Sequence, residues 1–202
     1  FAPGSGPLEL LRVGDALVGV SICEDAWSSE GPIVELGSAG ASLVVNINAS
    51  PFNLGKRRAR SAVVQARARQ SGAAIAYVNQ VGGQDELVFD GDSMVVGADG
   101  SVLARAPQFE AHLFVVDVEV PAAAAEPGLR VVTAPDIALG RRPPVAPLGV
   151  AAEPTEDAEV WEALVLGTCD FVRKNGFSEV VVGLYGGIDS ALVAAIAVEA
   201  LG

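Results

Sequence analysis

The order of apolar segments between residues 17 and 78 constrains the fold most. Short apolar runs at Leu17–Ile22, Leu43–Ile47 and Ala74–Val78 alternate with two helical patterns. Runs of that length read as buried strands, and the longer periodic stretches between them as helices. The first helix covers Ile33–Ala39, with Gly40 as its C-cap. The second covers Lys56–Gln70, ends near Gly72, and carries an apolar stripe of Ala59, Ala62, Val63 and Ala66. Further on the pattern becomes a meander. Met94–Gly97 and Val102–Arg105 flank Asp99-Gly100, a strong hairpin signal. Leu113–Val118 reads as another strand. This order predicts a layered α/β domain with a mixed sheet.

From Pro121 the periodicity stops. Ala122–Ala125 and Pro127, Pro135, Pro143, Pro144, Pro147 and Pro154 mark a surface-hugging connector. A second unit follows. Thr155 or Asp157 caps a helix running through Phe171 and closed by Lys174, Asn175 and Gly176. Val180–Leu184 reads as a strand, and Gly186-Gly187 turns it into a helix over Ala191–Leu201. The expected division is residues 1–120, a connector over 121–153, and a second unit over 154–202. The chain opens on Phe1, its one methionine is Met94, and it stops at Gly202, so we expect an excerpt of a longer protein.

Composition excludes several classes. Half of the 202 residues are hydrophobic and 19% are charged, which is not the make-up of a disordered chain. Thirteen Lys and Arg against 25 Asp and Glu give a net charge of −12, which argues against non-specific binding to nucleic acid or an anionic membrane. No apolar run has the length of a membrane span, about 18 residues, and no signal peptide opens the chain. Two cysteines, Cys23 and Cys169, are too few for a disulfide framework and fit a reducing cytoplasm. One histidine, His112, excludes a His-rich metal site and leaves a Ser-His-Asp triad only one candidate imidazole.

The first candidate site lies at Ile22-Cys23-Glu24-Asp25-Ala26-Trp27, where an apolar strand runs into a polar turn. A cysteine at a strand exit is held rigidly, its sulfur faces a cleft, and the following N–H can point at an oxyanion. The competing reading of Cys23 is a small buried hydrophobe, which is how we read Cys169. A thiolate needs a base: His112 is one route, a carboxylate–lysine pair the other. Lys56, Arg57, Arg58, Arg60, Arg67 and Arg69 concentrate basic charge on one helix; without interleaved aromatics they read as a solvated face. Asp85 and Glu86 either shape the amide pocket or lie in a solvated loop, and are assigned no role.

Ile22-Cys23-Glu24-Asp25-x-Trp27, Asn48-Ala49-Ser50-Pro51-Phe52 and the run Asn79–Gly91 together resemble the glutamine amidohydrolase domain of glutamine-dependent NAD+ synthetases. That domain belongs to the nitrilase (carbon–nitrogen hydrolase) superfamily. The resemblance implies a nitrilase-like α-β-β-α sandwich, partial here, and a Glu-Lys-Cys triad with Cys23 as nucleophile. It implies that the Glu and Lys lie upstream of residue 1, and that Ser50 and Lys56 bind glutamine. Ser50 by itself also reads as a turn residue before Pro51.

The second candidate site is Gly183-Leu184-Tyr185-Gly186-Gly187-Ile188-Asp189-Ser190, a strand, glycine turn and helix start. Glycines let backbone N–H groups approach a phosphate, and a carboxylate such as Asp189 suits Mg2+ beside it. Neither the P-loop nor the dinucleotide fingerprint is matched. The string resembles the Ser-Gly-Gly-x-Asp-Ser pyrophosphate loop of ATP-pyrophosphatase synthetases, and Asp157–Phe177 resembles the opening of an NAD+ synthetase domain with an adenine-nucleotide α-hydrolase-like (Rossmann-like) fold. The resemblance therefore implies ATP and Mg2+ at residues 183–190, Asp189 as metal ligand, glutamine and deamido-NAD+ as substrates, and a cytoplasmic homo-oligomer. It implies that the excerpt alone is inactive. Tyr185 departs from the motif's serine and predicts weaker ATP use unless its ring turns outward. A stand-alone nitrilase-type amidase and a non-catalytic scaffold with a degenerate loop are the two other classes.

Overall fold

The computed structural model describes residues 6, 8–127, 129–135 and 149–202. Phe1–Gly4 and the prolines Pro143, Pro144 and Pro147 of the expected connector lie outside the described residues. Nine strands form two sheets among the described residues: β1 (Glu9–Val13), β2 (Ala16–Ile22), β3 (Leu43–Asn48), β4 (Ala74–Asn79), β5 (Val81–Gln84), β6 (Leu87–Asp90), β7 (Met94–Val96), β8 (Val102–Arg105) and β9 (Arg130–Thr133). The helices are α1 (Pro32–Ser38), α2 (Lys56–Ser71), α3 (Glu156–Lys174) and α4 (Ile188–Leu201), with a short 3-10 turn over Cys23–Ala26.

The larger sheet has the order β8-β7-β4-β3-β2-β1-β9. Its centre, β2-β3-β4, is parallel because α1 and α2 carry the chain back between strands. β1 and β7–β8 add antiparallel neighbours, so the sheet is mixed as expected. The Asp99-Gly100 turn joins β7 to β8, with Gly100 at φ 84°. α1 begins on Pro32, whose fixed φ and missing N–H suit a first helical position. α2 ends where Gly72 turns left-handed at φ 65°.

One face of the sheet is dry. Leu17, Val44, Ile75, Met94 and Val96 meet Ile33, Leu36, Val64 and Ala68 from the helices. The other face is apolar and open: Val20, Ile22, Ile47 and Val78 are each about half exposed or more. The helix layer and one sheet layer of the expected sandwich are thus in place.

Four expectations need correction. α2 does not bury Ala59, Ala62, Val63 and Ala66; Ala59 and Ala62 are exposed, and Arg57, Arg60, Val64, Arg67 and Ala68 face inward. The arginines are therefore not a solvated face. Their stems cover apolar surface, and their charges meet buried acceptors. Arg60 is 1% exposed and grips Asp90 through two bonds of 2.8 and 3.0 Å. Asp92 is fully buried and takes Arg57 at 3.1 Å and Arg105 at 3.1 Å. Burial pushes the Asp92 carboxyl up, and the charges of Arg105, Arg57 and Arg60 oppose it. Leu113–Val118 is extended but joins no ladder: Phe114, Val116 and Val118 turn inward, and with Leu43, Ala76 and Val78 they line a hollow on the open side of the sheet. Val180–Leu184 is likewise no strand. No described segment pairs with it, and Val181 is 99% exposed.

The fourth correction concerns the connector. Its first part docks firmly. Ala123 N–H donates to Asp15 O, Glu126 N–H to Ala39 O, and β9 runs parallel to β1 as an edge strand. Single residues in alternation inside a Pro/Ala-rich stretch gave no strand signal.

Two stability predictions follow from this packing. Asp90→Ala leaves the Arg60 charge buried without its partner, and urea unfolding should show a loss of about 3–5 kcal/mol. Gly37 of α1 presses against the Ser71 carbonyl at the end of α2, and a Cβ there collides with it. Gly37→Ala should cost about 1–3 kcal/mol in the same measurement.

Candidate active site

Three strands deliver polar side chains to one end of the sheet. On the helix-facing side, Ser21, Asn46, Asn48, Ser50 and Asn79 are all buried at or just past the carboxyl ends of β2, β3 and β4. Asn46 Nδ2 donates to Ser21 Oγ at 2.9 Å, and Asn48 Nδ2 to Asn46 Oδ1 at 2.7 Å. Asn79 holds the Ser50 backbone from both sides. Its Oδ1 accepts the Ser50 N–H at 2.9 Å and its Nδ2 donates to Ser50 O at 3.3 Å. Asparagine is depleted in strands, so three of them at strand ends are a usable signal that the sequence reading left unused.

Cys23 leaves β2 at φ 43°, a left-handed conformation that is strained for a residue with a side chain. The turn is fixed from two sides. Asp25 Oδ2 accepts the Ile22 N–H at 2.7 Å, and Arg67 Nε, from α2, donates to Ala26 O at 3.1 Å. Cys23 is half-buried and carries a free thiol. It is not core filler, and its neighbour Glu24 is exposed.

Ser50 and Lys56 come to the same corner. Lys56 opens α2 after Gly55, which turns left-handed at φ 77°. Its Nζ donates to Pro51 O at 3.2 Å and sits 5.9 Å from the centre of the Trp27 ring. Trp27 closes the Cys23 turn, so the cation links that turn to the Ser50 loop. Tyr77 is the residue the sequence reading missed. It is 1% exposed, and burial pushes its phenol up. Arg60 below it and the Ser50 hydroxyl pull the other way. Among the described residues, Tyr77 Oη, Ser50 Oγ and Asn48 Oδ1 are buried without a hydrogen-bond partner. The Ser50 hydroxyl is close enough to influence the Tyr77 phenol, but no hydrogen bond joins them. Three unpaired buried polar atoms near the carboxyl ends of β3 and β4 leave hydrogen-bonding capacity for a polar ligand.

Other expected residues fall elsewhere. His112 lies 3.5 Å from Glu110 and shares a hollow with Leu43, Ala76 and Val78 on the open side of the sheet. The solvated-loop reading of Asp85 and Glu86 fits: both are exposed in the β5–β6 turn, with Asp85 at φ 52°. Gly183, Leu184, Tyr185, Gly186, Gly187, Ile188 and Asp189 are exposed and stand apart from the Cys23 corner. Their loop closes on itself through Ser190. Its Oγ accepts from Tyr185 N–H at 3.4 Å and donates to Gly187 O at 3.0 Å. Tyr185 is 92% exposed, and its ring folds back over Gly183, where a Cβ would lie 2.8 Å from Cε2. No cluster of three or more His, Cys, Asp or Glu among the described residues is placed to hold a metal ion. No described helix is long and apolar enough to cross a membrane.

Comparison with known proteins covers both units. The carbon–nitrogen hydrolase family matches residues 1–126, and the NAD synthase family matches residues 160–202. The chain is 47% identical over 193 residues to the glutamine-dependent NAD(+) synthetase of Xylella fastidiosa, covering 96% of this chain and 32% of that protein. It is 46% identical over 193 residues to the enzyme of that name from Xanthomonas campestris, with the same coverage of 96% and 32%. The solved glutamine-dependent NAD+ synthetase of Acinetobacter baumannii, in complex with ADP, superposes with a TM-score of 0.78 at 33% identity, over 100% of this chain and 34% of that one. The chain thus spans about a third of the length of the curated relatives it matches. That superposition bears out the nitrilase-like α/β architecture, and a match running over more than half of the sequence makes the chain a member of the carbon–nitrogen hydrolase family.

Proposed function

We propose that the chain is part of a glutamine-dependent NAD+ synthetase, with Cys23 as the nucleophile of its amide-hydrolysing site. The observation that carries this is the strained, half-buried Cys23 at a strand exit beside the buried Ser50 and the Lys56 ammonium. The relatives that match both units in the same order support the second half of the reaction.

The Cys23 thiolate attacks the carboxamide carbon of glutamine, and the carbonyl electron pair moves onto oxygen. Collapse of this tetrahedral adduct breaks the C–N bond. The nitrogen takes a proton from a general acid and leaves as ammonia, and water then cleaves the thioester to glutamate. The resemblance assigns the acid–base work to an upstream Glu and Lys. Ser50 and Lys56 hold the polar end of glutamine: a hydroxyl and an ammonium suit its α-carboxylate. In the second unit the carboxylate of deamido-NAD+ is activated as an adenylate with ATP, pyrophosphate leaves, and ammonia displaces AMP to give NAD+.

Gly183–Ser190 is the loop for the ATP phosphates, opening onto the first turn of α4. Asp189 is exposed there, and a single carboxylate fits Mg2+, which binds through one or two carboxylates and the substrate phosphates. The proposed units are residues 1–120 for the hydrolase part, 121–153 for the connector and 154–202 for the synthetase part, in a cytoplasmic homo-oligomer. Tyr185 favours a second reading, a scaffold with a degenerate loop, because it stands where the motif's serine would donate to a phosphate oxygen, although its ring folds over Gly183 and leaves Gly186 and Gly187 open.

Two measurements on the full-length protein test these readings. Cys23→Ala should abolish glutamine-dependent NAD+ formation and labelling by a glutamine-analogue electrophile, while ammonia-dependent formation survives. Loss of both activities alike, or persistent labelling, sinks the assignment. Tyr185→Ser restores a hydroxyl that can donate to a phosphate oxygen, and the KM for ATP should fall about tenfold. Equal ATP-dependent activity in the two forms refutes that role for Tyr185.

A further inference from the structure

The first helix of the second unit touches both supports of the Ser50–Phe52 loop. One support is the β5–β6 hairpin. Phe52 N–H donates to Val88 O at 2.6 Å, which makes the loop a third row beside β6. Val88 pairs across the hairpin with Gly83. On the far edge, Gly83 N–H donates to Asp170 Oδ2 at 2.7 Å and Gly83 O accepts from Lys174 Nζ at 2.6 Å. Asp170 and Lys174 pair at 3.1 Å, one turn apart on α3. Both polar groups of one edge peptide are therefore satisfied by the helix, which stands where another strand would. The approach is close because both contact points are glycine: a Cβ on Gly83 would lie 3.0 Å from Gly167 Cα.

The second support is the turn after β8. The Phe52 ring meets Phe109 edge-on, with centres 5.3 Å apart. Phe109 sits at φ 59° and follows Gln108. Gln108 Nε2 donates to Asp90 Oδ2 at 3.0 Å and to Glu159 Oε1 at 2.8 Å. Glu159, also on α3, is only 6% exposed. A buried carboxylate from the second unit is thus linked through Gln108 to the Arg60–Asp90 pair that lies under Tyr77.

We propose that α3 braces the Ser50 loop, with Asp170, Lys174 and Glu159 as positioning residues for glutamine binding in the other unit. The proposal rests on the amide-site reading above. It makes the synthetase-side helix a determinant of glutamine affinity, not of thiol reactivity. Cys23 itself is held by Asp25 and Arg67, neither of which α3 touches through these contacts.

The test uses the full-length protein, the Asp170→Ala/Lys174→Met double variant, and Asp170→Asn, which keeps an oxygen acceptor for Gly83 N–H. Each is labelled at Cys23 by a diazoketone analogue of glutamine, which needs the Ser50 loop, and by iodoacetamide, which does not. In the double variant, analogue labelling should slow about tenfold and the KM for glutamine should rise by the same factor. Its iodoacetamide rate and ammonia-dependent NAD+ formation should stay within about twofold of the parent, and Asp170→Asn should recover most of the loss. Equal analogue labelling in the parent and the double variant overturns the brace, as does a parallel fall with both reagents. A parent that the analogue leaves unlabelled overturns the amide-site reading and the brace with it.

Discussion

The structure depends on the charged face that α2 turns inward. A helix that presents Arg57, Arg60 and Arg67 to the interior is stable only where each guanidinium finds an acceptor. Those acceptors come from three different places. Asp90 ends β6, Asp92 follows it, and the Ala26 carbonyl lies in the Cys23 turn. One helix thereby fixes the hairpin, the meander and the Cys23 corner relative to one another. An apolar stripe would have held α2 to the sheet, but it would not have specified where the loops go.

The sequence made the strand–helix alternation legible because its apolar runs are short and bounded by Gly and Asn. Two of the large sheet's strands, β1 and β9, were hidden. β9 is an edge strand that pairs with β1 from more than a hundred residues away, and pairing over that distance leaves no local trace. The strand expected at Val180–Leu184 has the right composition, but composition cannot supply a neighbour to bond with. The misassigned face of α2 has a different cause: hydrophobicity ranks Arg last, and only the acidic residues 30 and more positions downstream reveal that it can be buried. Cys23, Ser50 and Lys56 were picked out by the resemblance, and their roles stay with the proposed function. Tyr77 was not, since an aromatic residue in a strand looks like core.

The two units differ in how much of their chemistry is enclosed. At the Cys23 corner, backbone strain and an asparagine ladder prearrange the groups before any ligand arrives. The Gly183–Ser190 loop is open, and the Ser190 hydroxyl accepts from the Tyr185 N–H and donates to the Gly187 carbonyl. The Tyr185 ring folds back over Gly183 and leaves Gly186 and Gly187 uncovered.

The long sequence separations of the α3 contacts have a consequence in time. Glu159 follows its partner Gln108 by 51 residues, and Asp170 follows Gly83 by 87. A ribosome adds residues at a rate that makes the second interval on the order of ten seconds. During that interval the hydrolase half can collapse and pair its arginines while the hairpin edge is still bare. If α3 braces the loop as proposed, the newborn chain passes through a stage in which the hairpin edge still waits for that helix.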